Sequence, residues 1–127
     1  MWILAAAAVL AGCGPTAKTG ADDKYAGLDA AILAWRQQIM ATNQACTAKA
    51  DGCQSFEVGC KGEREITPTD QAKGVTAKLV VAMSWEGWDP RRSEYRPESG
   101  FSEFTKVEGG WLRAVTAPVN LSTCASS

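Results

Sequence analysis

The sequence predicts an α+β domain in which one N-terminal amphipathic helix packs on an antiparallel sheet of about four strands, stapled by disulfides. Leu28, Ile32, Trp35 and Ile39 recur at steps of four, three and four, which draws one apolar stripe along a helix. Val75, Ala77, Leu79, Val81, Met83 and Trp85 alternate with a more polar set, the period-two pattern of a strand covered on one face. Cys46, Cys53, Cys60 and Cys124 form an even set within about 100 residues, a size at which a core profits from crosslinks.

The helix is expected from about Tyr25 to about Cys46. Asp22 and Asp23 stand where an N-cap and first-turn acids belong, and Ala30, Ala31 and Ala34 add helix propensity. Asp29, Arg36 and Gln37 fall off the apolar stripe, whereas Cys46, seven residues beyond Ile39, falls on it. Trp35 reads as core. After the turn signal Asp51-Gly52, residues Phe56, Val58 and Cys60 alternate with Glu57, Gly59 and Lys61 in a half-buried strand that puts Cys60 on the side of Phe56. Thr67-Pro68-Thr69-Asp70 has a cap, a first-turn proline and an acid at the third position, so one helical turn is expected from Pro68 to Lys73, closed by Gly74.

The long alternating strand follows, up to Glu86. Gly87, Pro90, Pro97 and Gly100 then argue against strand, so Glu86 to Gly100 reads as a long connection. Phe101–Val107 and Trp111–Ala117 form a hairpin around Gly109-Gly110, and Pro118 ends the last strand. A helix followed by strands is an α+β order. In outline it is similar to cystatin-like and NTF2-like folds by the order of elements alone, so no site residue is carried over from either.

Two disulfides are expected, with the pairing open. Cys46 with Cys60 would join two inward positions and leave Cys53 with Cys124; Cys46 with Cys53, and Cys60 with Cys124, is nearly as good. A zinc site fits poorly, because the spacings of seven, seven and sixty-four contain no C-x-x-C pair and the chain has no histidine. No cofactor or metal is expected. The missing histidine also removes Ser-His and Cys-His nucleophile chemistry. With 13 basic and 14 acidic residues and no basic block, nucleic acid is not an expected partner.

From Trp2 to Gly12 the chain carries no charge and ends in small residues, the pattern of an export signal. The run is shorter than the roughly 20 apolar residues of a spanning helix. Its end, Leu10-Ala11-Gly12-Cys13, resembles the lipobox of bacterial lipoproteins. The resemblance covers the first 13 residues and implies cleavage before Cys13, acylation of its sulfur, and attachment to a membrane through that lipid. Gly14 after the cysteine implies the outer membrane rather than the inner. Residues 1–12 are then a signal peptide, 13–24 a tether of small and polar residues, and 25–127 a single domain facing the periplasm.

The segment from Trp85 to Glu98 mixes aromatics, arginines and acids. Its functional reading is a recognition loop: Trp88 and Tyr95 offer flat faces, and Arg91, Arg92 and Arg96 bind carboxylates or glycan oxygens of an envelope protein or peptidoglycan. The plainer reading carries more weight. In it Trp85 continues the core, Trp88 caps the same core, and three arginines offset four acids in solvent. Glu57, Glu63, Glu65, Glu86, Asp89 and Glu103 could supply a glycosidase-like carboxylate pair, but no spacing brings two together. The expectation is therefore a non-catalytic envelope binding or structural module, with an envelope-polymer hydrolase or a small cystatin-like inhibitor or ligand-binding module as alternatives.

Overall fold

The computed structural model describes residues 24–126, so the expectations placed on the signal, Cys13 and the Asp22-Asp23 cap lie outside the described residues. The chain forms helices α1 (Leu28–Thr42), α2 (Gln44–Thr47) and α3 (Pro68–Ala72), and strands β1 (Gln54–Glu63), β2 (Ala77–Asp89), β3 (Glu94–Val107) and β4 (Gly110–Val115). The strands make one antiparallel meander in the order β1-β2-β3-β4. The α+β expectation holds at this level.

The predicted stripe is the buried face of α1: Leu28, Ile32, Trp35 and Ile39 pack on Leu79, Val81, Met83, Trp85 and Phe104. Trp35 meets Phe104 edge-on, with ring centroids 5.9 Å apart. Arg113 reaches from β4 over the Trp35 ring, donating to Ser102 Oγ at 3.0 Å and to Gln38 Oε1 at 2.6 Å. Ser102 is fully buried, and this guanidinium satisfies its hydroxyl.

The helix is shorter than expected and interrupted. It starts after Gly27, whose left-handed φ of 86° turns the chain beside Trp111. It stops at Asn43, which is extended and whose side chain accepts from the Ala45 N–H, capping α2. Cys46 is therefore buried on a second short helix. The Thr67–Asp70 capping box forms as expected around α3, with Gly74 left-handed at φ 84°. Lys78 closes on Asp70 at 2.9 Å.

The expected face for Cys60 is wrong. The β1–β2 register pairs Val58 with Met83 but Cys60 with Ala82, so Gly59 is an extra residue that turns Cys60 to the opposite face from Phe56 and Val58. The disulfides are Cys46–Cys53 and Cys60–Cys124. The bridge between Cys46 and Cys60 fails because the two sulfurs lie on opposite sides of the sheet. The second bridge lays the C-terminal tail over the face that was expected to meet water: Cys124 packs by the Val80 carbonyl, and Val80 and Ala82 are as buried as the core-side residues.

The segment expected as a long connection is strand. Pairing continues without a break from Ala77↔Lys106 to Asp89↔Glu94, leaving only residues 90–93 as the turn. Each apparent strand breaker has a local reason. Thr116 N–H donates to the Phe101 carbonyl, so Phe101 and its alternate neighbours Ser99, Pro97 and Tyr95 turn their backbone groups to the β4 side. Since β4 pairs only with Ser102–Val107, Pro97 lies at a free edge where its missing N–H leaves no gap in the ladder. A β-carbon on Gly87 would come within 2.7 Å of Ala45 Cβ, and one on Gly100 within 3.1 Å of the Trp85 ring. The last hairpin closes at Val107↔Gly110 around Glu108-Gly109, one residue earlier than the sequence suggests.

Candidate functional site

The β2–β3 ribbon outruns its neighbours. β1 pairs with β2 only as far as Gln54↔Glu86, and β4 leaves β3 before Phe101, so Gly87–Asp89 and Glu94–Gly100 project as two strands. Strand alternation divides the candidate residues between its faces. Gly87 and its partner Arg96, with Trp85 and its partner Glu98, face the helices; Trp88 and its partner Tyr95 face the other way.

Trp88 therefore does not cap the core under α1, which was the plainer expectation. Its ring meets Tyr95 edge-on at 5.1 Å and 74°. The segment between Cys46 and Cys53 wraps the ribbon edge and sets Lys49 Nζ 4.0 Å from the Trp88 ring centroid and 5.0 Å from that of Tyr95. The Tyr95 hydroxyl donates to the Gly52 carbonyl at 3.4 Å. The short disulfide loop thus holds a cation against two aromatic faces, an attraction worth about 0.5–1 kcal/mol per exposed ring. Lys49 was not among the residues singled out from sequence; it lies about forty residues from the rings it covers.

The three arginines separate by role. Arg92 pairs with Asp89 at 3.8 Å, and the Asp89 carboxylate also accepts from the backbone N–H groups of Arg91 and Arg92, shaping the turn. Arg96 pairs with Glu94 at 3.1 Å. The Arg91 guanidinium is exposed and, among the described residues, has no ion pair or hydrogen bond. Glu98 accepts from the Trp85 indole N–H at 2.9 Å, which ties the ribbon to the core. On the helix side an open cleft of about 610 Å³ lies between α2 and the ribbon, lined by Asn43, Gln44, Gly87, Trp88, Arg96 and Glu98 among others.

Five of the six carboxylates considered for catalysis have local partners or register positions along the sheet. Glu86 accepts from Gln54 Nε2 at 3.0 Å, Asp89 serves the turn, Glu57 lies opposite Ser84 and Glu103 opposite Val80. Glu63 accepts from the Tyr25 hydroxyl and pairs with Lys24 at 3.5 Å. That hydrogen bond, then the lysine, hold the Glu63 carboxyl below its ordinary range, the opposite of what a general acid needs. Burial first, and the Glu63 carboxylate second, push the Tyr25 hydroxyl up to about 12. Among the described residues no three His, Cys, Asp or Glu groups cluster as metal ligands, and no helix is long and apolar enough to cross a membrane. No protein-family model, no curated protein and no solved structure matches this chain.

Proposed function

We propose that the chain is a lipid-anchored protein of the bacterial cell envelope, facing the periplasm, that binds an envelope component through the β2–β3 ribbon without catalysing a reaction. What carries the reading is the accounting of the five cysteines. Four are consumed by Cys46–Cys53 and Cys60–Cys124, bonds that persist in oxidising compartments and so support export. The fifth, Cys13, is the one that completes the lipobox-like Leu10-Ala11-Gly12-Cys13.

The ribbon is favoured over the rest of the surface because it gathers two aromatic rings and two cations, Lys49 and Arg91, that form no ion pair among the described residues. The outer membrane remains the proposed location, on Gly14 alone. Within the α+β class the finer likeness to cystatin-like or NTF2-like outlines rests on one helix laid across a four-strand meander. The test is membrane fractionation of the full chain beside its Cys13→Ser variant, with the mass of the N-terminal peptide read directly. Native protein in the membrane fraction with acyl chains on Cys13, and variant protein in the soluble fraction, is the expected result; a variant that still fractionates with membranes sinks the proposal.

A further inference from the structure

We infer that the tip of the β2–β3 ribbon is the membrane-distal pole of the anchored protein, and that it takes a peptide-crosslinked glycan lying off the bilayer. The inference rests on the lipid-anchor reading and adds to it a direction and a partner class.

The direction follows from where the chain enters the domain. The Lys24 carbonyl accepts from Lys106 Nζ at 3.4 Å, Lys24 Nζ pairs with Glu63, and the Ala26 carbonyl accepts from the Trp111 indole N–H at 2.8 Å. Lys106 is the register partner of both Ala77 and Trp111, so the entry point is fixed at the base of β2 and β4. From there α1 runs up the sheet, with Gly27 beside Trp111 at its start and Ala45, just past its end, against Gly87. Ala77 to Asp89 is twelve strand steps, which places the ribbon tip about 40 Å from the base. The eleven residue steps from Cys13 to Lys24 span at most about 40 Å even when fully extended. Because the lead joins the domain at its base, the base lies nearest the bilayer and the tip farthest from it on average.

The partner class follows from what the tip presents. Asn43, Gln44, Arg96 and Glu98 line the cleft with planar amide, guanidinium and carboxylate groups, which offer the paired donors and acceptors that sugar hydroxyls need. Trp88 also lines the cleft, and on the other face of the ribbon its ring meets Tyr95 beneath Lys49. Among the described residues Arg91 and Lys49 form no ion pair, and the crosslinking peptides of such a polymer carry carboxylates. A lipid headgroup would need the tip at the bilayer, against the polarity of the domain.

The polarity is tested with the acylated full chain in phospholipid vesicles containing an acceptor-labelled lipid, a donor dye being carried on a non-natural residue at position 91 or at position 108. Energy transfer from 108 is expected to exceed that from 91 several-fold. Equal transfer, or more from 91, overturns the polarity, whereas a chain that does not float with the vesicles overturns the anchor reading itself. The partner is tested by sedimentation with purified peptidoglycan sacculi stripped of protein. The native chain is expected to pellet, and Trp88→Ala with Arg91→Ala, and separately Gln44→Ala with Arg96→Ala, to lower the pelleted fraction several-fold while keeping the native melting temperature within a few degrees. A native chain that stays in the supernatant, variants that pellet as well as the native chain, or pelleting only with unstripped sacculi would each overturn the glycan assignment, the last in favour of a protein partner.

Discussion

Gly59 runs against the carbonyl oxygen of Leu121 so closely that a β-carbon on it would come within 2.3 Å of that atom. The contact is backbone against backbone, so nothing flexible can yield. Gly59→Ala is expected to displace the tail or flatten the bulge, lowering stability by about 1–3 kcal/mol in urea unfolding. An unchanged midpoint would mean that the tail is not seated on β1.

The two disulfides should differ in worth because their loops differ in length. Cys60–Cys124 closes 64 residues and Cys46–Cys53 only 7. Chain-entropy arithmetic gives about 4 kcal/mol for the long loop and about 2 for the short one. Paired serine variants, Cys60→Ser with Cys124→Ser and Cys46→Ser with Cys53→Ser, compared by denaturant midpoint, should keep that order. The first should also expose Val80 and Ala82, read as dye binding to apolar surface.

Asp70 gives the domain an acid limit. Hydrogen bonds from Lys78 and then from the Thr67 backbone and side chain hold its carboxyl at about 2, below the ordinary 3.8. A carboxyl depressed in the folded state contributes stability that is complete above the unfolded value and is lost as pH falls from about 4 through about 2. Asp70→Asn keeps a capping oxygen but has no proton to take up. Its melting temperature should fall less than the native one across that interval, and parallel curves would deny Asp70 the role.

The two tryptophans Trp35 and Trp88 should separate core from tip. Trp35 is 6% exposed beneath α1, and Trp35→Ala is expected to cost about 3–5 kcal/mol. Trp88 is half-buried on the ribbon, where its ring meets Tyr95 and Lys49, so Trp88→Ala is expected to cost about 1 kcal/mol. Thermal melts of the two variants check the contrast. Comparable losses would place Trp88 in the core after all.

Pro97 guards the open edge of β3. Pro97→Thr restores an N–H on the side that β4 leaves uncovered, and the backbone groups of Tyr95, residue 97 and Ser99 become a continuous template for another strand. Light scattering should show concentration-dependent self-association in the variant at concentrations where the native chain is monodisperse. A variant as monodisperse as the native chain would mean that the edge is guarded by other means.

Periodicity made the helix face and the long strand legible, since burial repeats at 3.6 and 2 residues whatever the partner turns out to be. It failed where one residue changes the phase. Gly59 and Ser55 interrupt β1, and nothing local distinguishes a bulged glycine from an ordinary outward one. The ribbon was missed for a related reason. Gly87, Pro97 and Gly100 carry breaker signals, but Ala45, an uncovered edge and the Trp85 ring make them the residues that fit. Trp88, Arg91, Arg92, Tyr95 and Arg96 were found together in sequence, yet their division between two faces depends on the strand that replaced the loop. Lys49 could be found only once the chain had folded back over the ribbon.

The Gly59 bulge makes the Cys60–Cys124 bond a test of alignment. A nascent β1 paired with β2 without the extra residue would carry the Cys60 thiol under α1, on the far side of the sheet from the tail, and Cys124 would find no partner there. In the paired sheet, Cys60 and Cys124 therefore meet only in the bulged register. The bond and the phase of the first two strands are thus consistent only with each other.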